Sequence, residues 1–211
     1  MQKIAIFDFD DTLIDGQSLD LFYRFVLSNQ SSTTRNVFSR FCILLSRLFA
    51  YNPRLRQQVK FLAFWGIRES ILDLLSSRFC TEVLEKRLLL PVKAELDSHL
   101  RLGLSIVVLS AGFQSYLAEL FKNSTQIHII ASTYHVSDGL YRSISEFCYG
   151  QRKLELLQHY FLNETVDWNA SYAYSDHISD LPLLLAVGNP VVVGKGTRPS
   201  WCKPEWNFIS V

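Results

Sequence analysis

The chain has 211 residues, 48% of them hydrophobic, which is enough for one domain, or one domain with a sizeable insertion. Its formal net charge of +1 provides no global field for nucleic acid, so we expect no nucleic-acid partner. The four cysteines lie far apart, which argues against a zinc site or a disulfide framework and suits a reducing cytosol. Since no secretory signal or transmembrane span is visible, we expect a cytoplasmic protein.

The first predicted element is a buried strand that ends in carboxylates. Residues 4–7 form an unbroken apolar run, typical of a strand covered on both faces of a parallel sheet. Asp8, Asp10 and Asp11 follow, and alternation along the strand places Asp8 and Asp10 on the same side. Their charges repel unless a cation or a shared proton compensates, and Mg²⁺ is a hard ion that prefers oxygen ligands. A solvated acidic turn is the alternative.

A helical block separates this strand from the next. Apolar residues recur at helical spacing in five segments, near 18–29, 34–51, 53–65, 68–79 and 81–89. The stretch from Leu21 to Arg68 contains eight basic residues, and all 20 acidic residues of the chain lie outside it. We interpret residues 16–90 as a helical cap whose positive charge faces whatever the sheet holds.

The rest of the chain alternates strands and helices. The predicted elements are, in order, a helix near 92–102, a strand at 104–109, a helix near 113–122, a strand near 127–131, a hairpin with an Asp138-Gly139 turn, a helix near 150–161, a strand at 171–174, a helix at 180–187, a strand at 190–193 and an edge strand near 207–211. This order predicts an α/β fold, with a Rossmann-like parallel sheet in a core domain of residues 1–15 and 91–211.

Polar groups also stand at the ends of later predicted strands, where open parallel sheets bind ligands. Ser110 ends the second strand, and the segment Ser110-Ala111-Gly112 joins it to a helix. Backbone N–H groups and a hydroxyl converge there, an arrangement that holds phosphate well. An ordinary helix cap is the alternative for this segment.

Three further charged residues stand at predicted helix starts or strand ends. Lys153 falls in the first turn of a helix, where a cation is unfavourable, unless it reaches a phosphate and a carboxylate. Its neighbour Arg152 is better explained as a solvated side chain. Asp176 ends a strand and is placed to complete a metal site with Asp8, whereas Asp180 precedes a proline and is also placed to cap a helix.

Taken together, these motifs resemble the haloacid dehalogenase (HAD) superfamily, in particular the branch that includes phosphoserine phosphatase (subfamily IB). The resemblance covers essentially the whole chain. It rests on four motifs, which are residues 8–13 (DFDDTL), 109–112 (LSAG), 150–153 (GQRK) and 175–182 (SDHISDLP). It implies the HAD fold with an inserted helical cap of the C1 type.

The resemblance also implies a two-step phosphoryl transfer by a phosphoric monoester hydrolase. Asp8 would attack phosphorus to give an aspartyl-phosphate, and Asp10 would protonate the leaving oxygen and later deprotonate water. Residues 110–112 and Lys153 would hold the phosphoryl oxygens while the charge redistributes.

The same resemblance implies a Mg²⁺ site. The ion would be bound by Asp8, the backbone carbonyl of Asp10 and Asp176, with Asp180 and Ser179 in support. Two positions depart from the branch. His177 stands where glycine or serine usually follows the aspartate, and its role stays open. Ser179 stands where phosphoserine phosphatases tend to carry asparagine, which weakens the case for serine phosphate.

The expected partner is a small phosphorylated substrate, and several alternatives remain. The basic, apolar cap favours a further anionic group on the substrate, or peripheral contact with anionic lipid. Some members of the branch are phosphatidylglycerophosphate phosphatases with similar caps, so a lipid-linked substrate at a membrane surface is one alternative, and phosphoserine is another. A phosphate-binding protein without turnover and an enzyme that transfers the phosphoryl group to an alcohol are two more.

Overall fold

A computed structural model describes residues 1–29 and 33–211, and shows seven strands in one sheet. The strands are β1 (Ile4–Asp8), β2 (Ser105–Phe113), β3 (Ile127–Ser137), β4 (Leu140–Glu146), β5 (Tyr172–Ser175), β6 (Asn189–Gly194) and β7 (Asn207–Ser210). Their order is β4-β3-β2-β1-β5-β6-β7, and every neighbouring pair is parallel except β3 and β4. The predicted α/β fold with a mostly parallel sheet is confirmed.

Helices flank the sheet and fill the segment between its first two strands. The helices are α1 (Ser18–Ser28), α2 (Thr33–Ser46), α3 (Pro53–Phe61), α4 (Glu69–Phe79), α5 (Leu90–Arg101), α6 (Gln114–Phe121), α7 (Gln151–Tyr160) and α8 (Leu181–Leu185). Between α4 and α5 the predicted helix near 81–89 is replaced by a π-helical turn (Cys80–Leu84) and a 3₁₀ turn (Glu85–Arg87). Residues 30–32 of the predicted cap lie outside the described residues.

The central position of β1 explains its unbroken apolar sequence. Ala5 and Phe7 pack into the hydrophobic cluster on one face of the sheet, and Ile4 and Ile6 pack into the cluster on the other. All five residues of the strand are buried. The strand therefore delivers Asp8 to the middle of the sheet's carboxyl edge.

β2 is longer than the sequence predicts. We expected the strand to end at Ser110, but it continues to Phe113, with a register shift against β3 between Ser110 and Phe113. The buried Phe113 ring stacks on Tyr134 of β3, with ring centroids 4.0 Å apart. This packing holds the last residues in the sheet, and α6 begins only at Gln114.

The predicted hairpin is confirmed, although its first strand is the second half of β3. Asp138 and Gly139 both have positive φ, at 54° and 68°, as a two-residue hairpin turn of the primed type requires. The hairpin also anchors the segment between α3 and α4, since the Gly66 N–H donates to the Tyr141 carbonyl at 2.7 Å and the Tyr141 N–H donates to the Ile67 carbonyl at 3.0 Å.

Many aromatic residues of the α1–α4 segment form its contact with the sheet. The Phe22 ring lies 5.5 Å from Phe113 and 5.2 Å from Tyr116 between centroids, and the Phe64 ring lies 4.9 Å from Phe113. All four rings are buried. These contacts pack the α1–α4 segment over the carboxyl end of β2.

Candidate active site

A cavity of about 480 Å³ lies between the carboxyl edge of the sheet and the α1–α4 segment. Its lining on the sheet side includes Asp8, Asp10, Ala111, Lys153, Asp176 and His177. On the side of the α1–α4 segment, the lining includes Gln17, Asp20, Arg56, Gln57 and Lys60. Residues from all four sequence motifs therefore meet at one place, as parallel-sheet topology predicts.

Asp8 is held by one cation at the end of β1. Its Oδ1 atom accepts hydrogen bonds from Lys153 Nζ and from the Phe9 N–H, each at 2.7 Å. Burial raises the pKa of Asp8 well above its usual value, Lys153 opposes this, and the Asp180 and Asp176 carboxylates add to the rise. Asp8 therefore shares its buried surroundings with one lysine and two further carboxylates.

Lys153 is fully enclosed although it stands in the first turn of α7. Its Nζ atom donates to Asp8 Oδ1 and to Asp180 Oδ2, both at 2.7 Å. Burial by itself would lower the pKa of Lys153, but the two carboxylates outweigh it, and the pKa is raised above its usual value. The ammonium is therefore charged, and its pairs with the two carboxylates offset the unfavourable place of a cation at a helix N-terminus.

Asp10 lies beyond the strand end and is fixed by the start of α1. The Ser18 N–H donates to Asp10 Oδ1 at 2.6 Å. Burial raises the pKa of Asp10 to about 6, while hydrogen bonds from Ser18 act in the opposite direction. Asp11 turns the chain with φ of 53°, and its carboxylate accepts from the Gly16 N–H at 3.0 Å and from Gln17 Nε2 at 2.7 Å.

Asp176 is tied to the first motif through Thr12. The Thr12 hydroxyl donates to Asp176 Oδ1 at 3.1 Å and accepts from the Asp176 N–H at 3.0 Å. Burial raises the pKa of Asp176, and the hydrogen bond from Thr12 lowers it. No local sequence pattern indicates this role of Thr12, because its partner is 164 positions away in the chain.

Asp180 is fully buried below the cavity. Its Oδ2 atom accepts from Lys153 and from the Ser175 hydroxyl at 2.9 Å, whereas its Oδ1 atom has no partner among residues 1–29 and 33–211. The side chain does not cap α8, so the capping alternative is wrong. His177 supplies a cap one turn earlier, where its Nδ1 atom accepts from the Ser179 N–H at 3.1 Å.

The segment 110–112 makes different contacts from those expected of a free anion-binding turn. The Gly112 N–H donates to Ser110 Oγ at 3.0 Å, which leaves the hydrogen of the Ser110 hydroxyl for another acceptor. Ala111 reaches the cavity, and its carbonyl accepts from Gln57 Nε2 of α3 at 3.2 Å. This hydrogen bond joins segment 110–112, the candidate for binding phosphate, to the α1–α4 segment.

The residues that α1 and α3 contribute to the cavity were not identified from sequence. Arg56 and Lys60 stand four apart on α3 and therefore share a helix face. Lys60 forms an ion pair with Asp20 of α1, while Arg56 is exposed at the cavity. The spacing of the two cations after Pro53 indicates that they share a helix face, but it does not indicate that this face lines a cavity.

The residues of this site fit a magnesium ion by their charge and donor type. Within the described residues, no group of three acidic, histidine or cysteine side chains could by itself hold a metal ion. Mg²⁺ needs only one or two carboxylates, since it keeps several waters. Asp8 and Asp176 both line the cavity and supply two, and the Asp10 carbonyl is a further oxygen donor.

Comparison with known families and proteins agrees with this arrangement. Residues 5–185 match the haloacid dehalogenase-like hydrolase family. A protein of Mycobacterium tuberculosis described as a probable phosphatase is 26% identical, in an alignment that covers 98% of this chain and 74% of the relative.

Two solved structures share the fold. A Bordetella pertussis protein of unknown function superposes with a TM-score of 0.81 at 19% identity, over 100% of this chain and 99% of that one. A phosphoserine phosphatase in its apo form has a TM-score of 0.63 at 15% identity, over 92% and 86% of the two chains. At these identities the likeness concerns the fold.

Proposed function

Because this chain belongs to the haloacid dehalogenase-like hydrolase family, we propose that it is a Mg²⁺-dependent phosphatase that acts through an aspartyl-phosphate. The observation that carries the proposal is the position of Asp8. Its carboxylate ends the central strand, lines the cavity and is held by the buried Lys153. The family relationship and the probable phosphatase among the relatives support this reaction class.

In the first step, an Asp8 oxygen attacks the phosphorus of a phosphomonoester. The bond between phosphorus and the ester oxygen breaks, and protonated Asp10 gives its proton to the departing oxygen. In the second step, Asp10 takes a proton from water, which attacks the same phosphorus. The bond to Asp8 then breaks, and phosphate and a free carboxylate are restored.

Other residues of the chain bind and orient the phosphoryl group. The Ser110 hydroxyl, the backbone of Ala111 and Gly112, and the Lys153 ammonium are assigned to its oxygens. When bound, Mg²⁺ would neutralise phosphoryl charge, and we assign it to Asp8, the Asp10 carbonyl and Asp176. Asp180 would orient Lys153, and Ser179 would steady the turn that precedes Asp180.

Catalysis and substrate selection are assigned to different parts of the chain. We propose that residues 1–15 and 91–211 form the catalytic core, and that residues 16–90 form a cap that selects the substrate. The exposed Arg56 at the cavity favours a small phosphorylated substrate with a further anionic group. All four cysteines are free and buried, which supports a reducing compartment such as the cytoplasm.

The test is hydrolysis of p-nitrophenyl phosphate with and without Mg²⁺. We expect EDTA to abolish turnover and added Mg²⁺ to restore it. Asp8→Asn removes the nucleophile and should lower kcat by more than about a thousandfold. Asp15→Asn is the matched control, because Asp15 lies in the same acidic segment but pairs with Lys195 away from the cavity, and should keep its activity.

Activity of Asp8→Asn near that of the unmodified protein would contradict the mechanism. Turnover that survives complete removal of divalent ions would contradict the magnesium assignment. A protein that binds phosphate but turns over no phosphomonoester would instead favour a binding role.

A further inference from the structure

An unusual distribution of apolar residues occurs on α2. Among residues 36–46 of this helix, the fully buried ones are small, Ser39, Cys42 and Ser46, and Ile43 packs partly buried against the core. The Ser39 hydroxyl donates to the Ala63 carbonyl at 3.1 Å. Large apolar residues point outward instead. A helix that packs on a globular core normally has the reverse arrangement, so the outer face of α2 calls for a separate explanation.

The outward residues form a regular series, which we call the apolar stripe. Its members are Val37, Phe41, Leu44, Leu48 and Tyr51. The spacing of three or four residues places them along one side of α2 and of the turn that follows it. Each is at least 59% exposed. Single exposed apolar residues are ordinary, but a continuous row of five is characteristic of an interaction surface.

Cations border the apolar stripe. Arg40 and Arg47 are exposed, and each lies three or four residues from two members of the stripe, so they line its edge. Neither takes part in an ion pair with any residue of the described chain. The sequence from Leu21 to Arg68 contains no acidic residue. The surface is therefore apolar in the middle and positive along its edge.

From this combination we propose that the outer face of α2 docks on an anionic lipid bilayer. An apolar face bordered by cations is the pattern of helices that lie in the membrane interface, where apolar side chains enter and cations attract acidic headgroups. No helix within residues 1–29 and 33–211 is long and apolar enough to cross a membrane, and docking of this kind requires none. The proposal does not depend on the proposed phosphatase activity.

Charge favours a bilayer over a second copy of the chain. A two-fold dimer through the apolar stripe would place Arg40 and Arg47 against the α2 segment of the second copy, where the sequence from Leu21 to Arg68 supplies no acidic partner. An acidic bilayer instead neutralises them. The stripe ends at Tyr51, and the neighbouring Ala50 and Pro53 line the cavity, so docking would hold the cavity close to the lipid surface.

The experiment is co-sedimentation of the full chain with vesicles at low and high salt. One set contains equal parts of phosphatidylcholine and phosphatidylglycerol, and the other contains phosphatidylcholine alone. We expect binding to the anionic vesicles that weakens at high salt. Arg40→Gln with Arg47→Gln should lower the partition constant about thirtyfold, since each cation near an anionic surface contributes about a factor of five.

A second pair of variants tests the apolar contribution. Leu44→Gln with Leu48→Gln should lower the partition constant by at least about tenfold. The matched control is Leu102→Gln with Leu162→Gln, because these leucines are each 72% exposed but lie outside α2, and binding should not change. Since all four side chains are exposed, thermal unfolding should be unchanged and would verify that the variants fold.

Three results would overturn the proposal. They are no binding to anionic vesicles at low salt, equal loss in the control pair, and equal binding to both kinds of vesicle. Sedimentation velocity provides a fourth. A dimer that the Leu44 and Leu48 variants abolish, without any binding to vesicles, would assign the apolar stripe to a second copy.

Discussion

Lys153 is the residue on which the charge balance of the site depends. Its ammonium lies 2.7 Å from one oxygen of Asp8 and 2.7 Å from one oxygen of Asp180, and all three side chains are buried. Carboxylates this close to one another repel strongly in a medium of low dielectric constant. Lys153 therefore holds Asp8, the proposed nucleophile, in place, and it also lines the cavity.

We predict that Lys153→Met lowers the free energy of unfolding by about 3–5 kcal/mol, because it leaves two buried carboxylates without their cation. Urea unfolding at neutral pH measures the change. Lys195→Met is the control, since its pair with Asp15 is exposed and should contribute little. Adding Asp180→Asn to Lys153→Met should recover part of the loss. A double variant less stable than Lys153→Met would contradict this explanation.

Gly112 lies in a closely packed part of the proposed phosphate-binding segment 110–112. A Cβ atom at this position would overlap the Tyr116 hydroxyl oxygen and would lie 3.0 Å from Ser18 Oγ. Tyr116 cannot easily move, because it is fully buried and its hydroxyl accepts from the Phe113 N–H at 3.0 Å. The Ser18 N–H in turn donates to Asp10, the proposed acid and base, so a displacement of Ser18 would also move Asp10.

We therefore predict that Gly112→Ala costs about 1–3 kcal/mol of stability and also slows turnover, because overpacking displaces Ser18. Gly103→Ala is the comparison, as its Cβ would have no neighbour within 4 Å and only its positive φ of 76° would be strained. Removing the Tyr116 hydroxyl in Gly112→Ala/Tyr116→Phe should restore part of both quantities. Full activity of Gly112→Ala would contradict this prediction, because it would show that segment 110–112 tolerates the added methyl group.

At the scale of elements, α3 lines the cavity on the side opposite the sheet. Asn52 caps this helix, since its Oδ1 atom accepts from the Leu55 N–H at 3.0 Å, and Pro53 follows at the first helical position. The helix presents Arg56, Gln57 and Lys60 to the cavity. A frayed start would move these side chains while leaving the proposed catalytic groups at the sheet edge undisturbed.

Asn52→Ala should accordingly raise KM by up to about fivefold, because a lost cap costs about 1 kcal/mol, and should leave kcat within about twofold. Steady-state kinetics with p-nitrophenyl phosphate separates the two parameters. Asn52→Asp keeps the acceptor oxygen and should behave like the unmodified protein. A fall in kcat at constant KM would mean that α3 acts on the chemistry itself.

Structural features that depend on local sequence patterns could be predicted from the sequence. The apolar run of β1, the Asp138-Gly139 turn and, apart from the helix near 81–89, the order of strands and helices appear as expected. The predicted end of β2 at Ser110 was wrong, because the strand's actual end depends on the Phe113–Tyr134 stack. That stack joins residues on different strands. Sequence periodicity carries no information about such a contact.

The same limit applies to the site. Carboxylates at strand ends could be placed together because parallel topology brings them to one edge. The contacts of Thr12 with Asp176 and of Gln57 with Ala111 could not be predicted, since each joins segments far apart in the chain. The cavity-facing side of α3 was also missed, because a cation on a helix has the same local pattern whether it faces solvent or a ligand.

At the scale of the whole molecule, the site is assembled from distant parts of the chain. β1 and β5 are neighbours in the sheet, and the Thr12–Asp176 pair joins their carboxyl ends. Lys153 arrives from α7, and the α1–α4 segment covers the cavity. The proposed chemistry therefore requires the complete fold, and the exposed face of α2 is available for contacts outside the reaction.

The most direct test of the proposed mechanism is a crystal structure of the protein with Mg²⁺ and beryllofluoride. We predict that beryllium is bonded to an Asp8 carboxylate oxygen, and that one magnesium ion contacts Asp8, the Asp10 carbonyl and Asp176. Beryllofluoride bonded to another residue, or Asp8 and Asp176 too far apart to share the ion, would contradict the mechanism.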